Sequence, residues 1–147
     1  MGAITDGFGH NHKLCDDLWV AAEDAVASGK WDAAAVAWKK FQTTMELHLG
    51  TEETQLFPAF EEATGMVGGP TAVMRMEHTQ MRELFAELAE AVAKKDAEGF
   101  NGAGQTMLIL MQQHNMKEEN MLYPMCDRAL EGEGPLVDRL LGAIGAR

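Results

Sequence analysis

Two stretches of the chain carry the same groups able to hold a cation. His48-Leu49-Gly50-Thr51-Glu52-Glu53-Thr54-Gln55-Leu56-Phe57-Pro58 and His114-Asn115-Met116-Lys117-Glu118-Glu119-Asn120-Met121-Leu122-Tyr123-Pro124 share the pattern H-x-x-x-E-E-x-x-L-[FY]-P, 66 positions apart. On a helix, at about 100° per residue, a side chain four positions on lies only about 40° from the histidine, and one five positions on lies about 140° away. Glu52 and Glu118 therefore share a face with His48 and His114, while Glu53 and Glu119 are expected to look toward neighbouring helices or solvent. The proline of each copy lacks an N–H and is expected to kink or end its helix.

The chemistry follows from what burial does to such groups. A carboxylate taken from water without a partner costs several kcal/mol or gives up its charge, and two facing carboxylates repel as well. Cations relieve both penalties. Imidazoles and carboxylates together suit a borderline ion such as iron.

The elements that position these groups are legible as apolar seams. On helix B, Trp31, Ala34, Trp38, Phe41, Met45, His48, Glu52 and Leu56 advance in steps of three and four, which keeps them on one face. The same stepping gives Met107, Met111, His114, Glu118, Met121 and Met125 on helix D, and Met74, His78, Met81, Phe85, Leu88 and Val92 on helix C. Helix A contributes His12, Cys15, Trp19, Ala22 and Val26. Each helix thus sends an imidazole to one interior, and two add a carboxylate. No Lys or Arg lies on these seams to supply the counter-charge. Glycine and proline clusters place the helices at about 10–28, 31–63, 71–95 and 105–131, with a short fifth helix after Pro135. The predicted fold class is all-α, an up-down-up-down four-helix bundle with a short extra C-terminal helix.

Composition sets the outer limits. A chain of 147 residues, 46% hydrophobic, suffices for one core, read as a single domain over residues 1–147. Twelve basic against 23 acidic residues give a formal net charge of -11, which repels phosphate backbones and anionic lipid, so neither nucleic acid nor a membrane is expected as a partner. No run is apolar enough to span a bilayer, the first residues lack a signal-peptide pattern, and Asp6 breaks the myristoylation motif; the expected location is the cytoplasm. Cys15 and Cys126, far apart and outside any CxxC, are expected to be buried thiols. The 11 methionines are expected mainly to fill a helical core, with Met45, Met74, Met81, Met111 and Met121 as candidates to line a site.

With these residues placed, the chain resembles the hemerythrin-like, HHE cation-binding family over about residues 10–129. The resemblance implies a non-heme di-iron centre, two iron ions with an oxo or hydroxo bridge, inside an up-down bundle. Carried over by motif, the metal-binding residues are His48 with Glu52, His114 with Glu118, His78 from helix C and His12 from helix A, the two glutamates bridging the irons. His10 is the fallback on helix A and lies about 160° off the seam. Oxygen-carrying members have two helix C histidines four residues apart, whereas the positions flanking His78 at that distance are Met74 and Arg82. One iron is then expected to lose a nitrogen donor and either gain a solvent ligand or borrow a carboxylate, for which Glu23 on helix A is a candidate.

Two functions follow as expectations. The first is binding of a small ligand such as oxygen, nitric oxide or peroxide at an open iron position, as carrier or sensor. The alternative is a redox enzyme or an iron donor for iron-sulfur repair using the same site. Ferritin-type carboxylate bundles use E-x-x-H, which this sequence lacks.

Overall fold

Seams of this kind can be buried only against one another, and the computed structural model, which describes residues 2–146, is helical with no strand among those residues. The elements are α1 (Ala3–Ala27), α2 (Trp31–Thr51), a π segment (Glu52–Leu56), α3 (Phe57–Thr64), α4 (Pro70–Ala93), α5 (Ala97–Lys117), a second π segment (Glu118–Leu122), α6 (Tyr123–Ala129) and α7 (Gly134–Ala143). The strongest packing pairs α1 with α2 and α4 with α5. The short helix expected after Pro135 is α7, which packs on α1 and α2. No helix of the described residues is long and apolar enough to cross a membrane.

The core falls into two apolar clusters. One holds Trp19, Trp38, Phe41, Phe85, Phe100 and their neighbours, with Trp19 stacked on Phe100 at 5.1 Å. The other gathers Ile4, Phe8, Phe57, Phe60, Tyr123 and Leu140. Each fully buried aromatic contributes on the order of 1.5–3 kcal/mol of transfer free energy. Along every long helix the histidine lies between a residue of one cluster and a residue of the other: Phe8 and Cys15 flank His12, Met74 and Met81 flank His78, Met45 and Leu56 flank His48, Met111 and Leu122 flank His114. The polar groups thus form a layer sealed on both sides by hydrocarbon.

Several expectations needed correction. α1 begins at Ala3 rather than near His10, because its first free N–H groups are capped from far away: Asp127 on α6 accepts from Ile4 N at 2.9 Å, Thr5 N at 3.1 Å and the Thr5 hydroxyl at 2.6 Å. α5 begins at Ala97 rather than Gln105, since Asp96 caps Gly99 N at 2.9 Å and the glycines that read as a break lie inside the helix. Gly104 is there for space: a Cβ would stand 2.8 Å from Trp19 Cζ2. Finally, of the two outcomes expected at Pro58 and Pro124, a kink or an end, the helices do not end there.

The prolines instead follow π turns. Phe57 N–H bonds Glu52 O and Tyr123 N–H bonds Glu118 O, five residues back in each case, so each helix takes in one extra residue just before its proline. The Glu53 carbonyl, five residues before the N–H that Pro58 lacks, accepts from Arg75 Nη1 at 3.1 Å instead. The extra residue also rotates everything downstream. Met121, expected on the inner seam, is 60% exposed, and Leu122, Tyr123 and Cys126 turn inward in its place. Both cysteines are free and buried, as their spacing suggested. Burial pushes the Cys15 thiol up to about 12, which leaves it unreactive at neutral pH.

Candidate metal centre

His12, His48, Glu52, His78, His114 and Glu118 meet in the sealed layer, each at most 6% exposed. Their ligand atoms form two overlapping groups, Glu52–His78–His114–Glu118 and His12–His48–Glu118, within each of which all atoms lie within 4.8 Å of one another. Glu118 Oε1 stands 3.0 Å from His12 Nε2 and 3.3 Å from His114 Nε2. Glu52 spreads its two oxygens, Oε1 at 3.1 Å from His78 Nε2 and Oε2 at 3.4 Å from His48 Nε2. Each carboxylate therefore faces both groups. The fallback His10 and the candidate Glu23 are exposed and join neither group.

The outer nitrogens fix how the rings present themselves. His12 Nδ1 bonds Glu119 at 2.7 Å, His78 Nδ1 bonds Glu53 at 2.7 Å, His114 Nδ1 bonds Glu77 at 2.9 Å and His48 Nδ1 bonds the Asn11 amide oxygen at 2.6 Å. All four partners are acceptors, so every Nδ1 carries a proton and every Nε2 faces inward, where it can give its lone pair to a cation. The second glutamate of each repeated motif thus holds the histidine of a neighbouring helix, Glu53 on α4 and Glu119 on α1. Arg82 anchors Glu53 at 2.7 and 3.0 Å, and Lys117 bonds Glu77. Burial opposes the charge on Glu53, yet the Arg82 and His78 contacts hold its carboxyl below the usual range; Glu77 is lowered likewise against burial by Lys117 and His114. The His12 hydrogen bond lowers Glu119.

Sequence reasoning missed Asn11, Glu77 and Tyr123. A signal existed for the first two, since each immediately precedes a helix A or helix C histidine, at matching places in the two halves. Tyr123 was hidden by the π turn: nine residues after His114 on an unbroken helix it would point about 180° away. Instead its hydroxyl donates to Glu52 Oε2 at 2.6 Å and lies 2.9 Å from Glu118 Oε1, 3.1 Å from His12 Nε2 and 3.1 Å from His48 Nε2.

A proton count shows what the layer lacks. Four inward Nε2 atoms and two carboxylates converge, and the protons of the phenol and of His12 do not satisfy them all. Four buried atoms in the first group, Glu52 Oε1, His78 Nε2, His114 Nε2 and Glu118 Oε2, have no hydrogen-bond partner; among the described residues the only others so placed are the Trp19 and Trp38 indole nitrogens. Unsatisfied acceptors at this depth cost about 1–3 kcal/mol each unless a cation lies between them. The demand for positive charge also shows in proton affinity. Burial disfavours a charged His12, yet Glu118 and Glu119 raise it to about 10; His114 is raised against burial by Glu118, and Glu52 falls well below the usual carboxylate range despite burial because of His48. A nitrogen-and-oxygen donor set with inward lone pairs and two shared carboxylates fits a pair of metal ions.

Comparison with protein families places residues 9–126 in the hemerythrin HHE cation binding domain. The match covers most of the chain, which belongs to this family. Comparison with curated proteins and with solved structures gave no match.

Proposed function

We propose that this chain is a single-domain, non-heme di-iron protein that binds a small ligand such as oxygen, nitric oxide or peroxide, as carrier or sensor. His78 and His114 would hold one iron, His12 and His48 the other, and Glu52 and Glu118 would bridge them. The observation that carries the reading is the unmet demand for positive charge in the buried layer: four inward Nε2 atoms and two carboxylates converge, and Glu52 Oε1, His78 Nε2, His114 Nε2 and Glu118 Oε2 have no hydrogen-bond partner. Iron supplies, when bound, the open coordination position and the redox change that small-ligand binding uses. The chain's own part is to hold the four rings in one tautomer through Glu119, Asn11, Glu53 and Glu77, to keep water out with the two apolar clusters, and to split two negative charges between two cations. The order in which the clusters are met alternates along the chain, α1 and α4 running one way and α2 and α5 the other. That alternation supports an up-down-up-down arrangement.

The missing second histidine on α4 favours a site with 2 + 2 imidazoles over the set of the oxygen-carrying members. Met74, one turn before His78, is 2% exposed and packs in the apolar cluster with Phe57, so nothing replaces that donor. Ligand binding, as carrier or sensor, is the first reading, and peroxide or nitric oxide reduction or iron donation the alternative. The ferrous protein, mixed anaerobically with nitric oxide or oxygen, separates them. A stoichiometric spectral change without turnover supports binding; sustained consumption of reductant with peroxide supports an enzyme; an unchanged spectrum contradicts both.

A further inference from the structure

The repeated motif makes the two halves of the centre nearly equivalent, and among the groups of the motif that face inward they differ by one phenol oxygen. Phe57 and Tyr123 occupy the same place in the two copies, each in the position after its π segment. Phe57 lies 5.6 Å from the His78 ring and Tyr123 lies 5.6 Å from the His12 ring. On the Phe57 side the inner atoms of the pair of histidines and of both carboxylates are left without partners. On the Tyr123 side the phenol oxygen meets all four donors, Glu52 at 2.6 Å, Glu118 at 2.9 Å and both Nε2 atoms at 3.1 Å.

From this asymmetry, and resting on the di-iron reading above, we propose that the Tyr123 phenol oxygen is a direct ligand of the iron held by His12 and His48. Octahedral donors about 2.1 Å from an ion lie roughly 3.0 Å from their neighbours. The four contacts of the phenol oxygen span that spacing, so it stands as a further vertex beside four donors. A buried phenol oxygen crowded by two carboxylates and two imidazoles also gains most from meeting a cation. On coordination the O–H bond breaks, its proton leaves to water and an O–Fe bond forms, with no change of oxidation state. The two irons are then unlike. One is closed by a phenolate, and the His78–His114 iron beside Phe57 keeps the open position, so exogenous ligand is directed to that side.

The chain contains one tyrosine, so any tyrosinate signal belongs to Tyr123. Full-length protein is loaded with ferrous iron, oxidised and assayed for iron, and its resonance Raman spectrum is recorded in the visible charge-transfer region, with and without ring-deuterated tyrosine. Enhanced tyrosinate ring modes that shift with the label support the proposal. Their loss in Tyr123→Phe, with the visible charge-transfer band lost and iron retained, supports it further; Phe57 shows that the motif accepts phenylalanine at this place. Iron at two per chain without tyrosinate modes in the wild type overturns it and makes the phenol a hydrogen-bonding group only, leaving the di-iron reading intact. A wild-type protein that takes up no iron overturns both.

Discussion

If Glu53 and Glu119 hold the metal-binding face of the rings inward, neutralising either should weaken metal binding without unfolding the chain. Glu53→Gln and Glu119→Gln keep an acceptor near His78 and His12 and remove the charge that polarises each Nδ1–H. Carboxylate partners of metal-binding histidines are typically worth 10–100-fold in affinity, or about 1.4–2.7 kcal/mol. The structure separates the two. Both bonds are 2.7 Å long, but the Glu53 side chain is 23% exposed and pinned by Arg82, whereas that of Glu119 is 42% exposed and meets His12 alone. Solvent screening should bring Glu119→Gln toward about tenfold and leave Glu53→Gln nearer a hundredfold. Anaerobic competition for ferrous iron against a chromophoric chelator measures both, with exposed Glu62→Gln as control and urea titration to check folding. Wild-type affinity in both variants, in protein of unchanged stability, would refute the argument that these glutamates orient the rings.

Other consequences can be measured separately. Removing metal should destabilise the bundle: at free iron about a thousandfold above Kd the linkage is roughly 4 kcal/mol, a Tm difference on the order of 10 °C between loaded and chelator-treated protein, and equal melting curves would contradict it. Because metal-free His12 is raised to about 10, it holds a proton at pH 7 that iron must displace, so loading in weak buffer should release protons and affinity should rise with pH up to that value; a pH-independent affinity between 6 and 8 would count against it. Asp127→Ala should cost about 1–2 kcal/mol through loss of the long-range cap on α1, read in urea unfolding, with little cost meaning that water replaces it. Gly104→Ala should destabilise by about 1–3 kcal/mol against Trp19, whereas Gly102→Ala, with nothing near its Cβ, should stabilise by about 0.5–1 kcal/mol; the reverse order would show that Trp19 yields freely.

The site proved more legible than the chain path around it. His48, Glu52, His114 and Glu118 could be read because they sit upstream of, or at the start of, the π turns, where a spacing of four still means one face. Met121 lies within the second π segment and Tyr123 just past it, and there the same arithmetic fails. The helix starts were misread for a different reason. Asp127 caps α1 from more than a hundred residues away, and no local pattern around Ala3 announces it. The glycines of α5 looked like a loop because their value, room for Trp19, belongs to tertiary packing. The pairing of Glu53 with His78 and of Glu119 with His12 was half visible: the sequence turned both carboxylates toward neighbouring helices, and only the packed structure names which rings they meet.

If the buried layer exists to hold two cations, their number per chain is the quantity to measure. Protein expressed with ample iron and purified without chelators should contain two irons per chain. Its oxidised form should absorb as a coupled ferric pair, and replacing Glu52 and Glu118 together by alanine should abolish both signals. A folded wild-type protein carrying no metal, or a single ion that survives loss of both glutamates, would show that the layer is not a two-metal site.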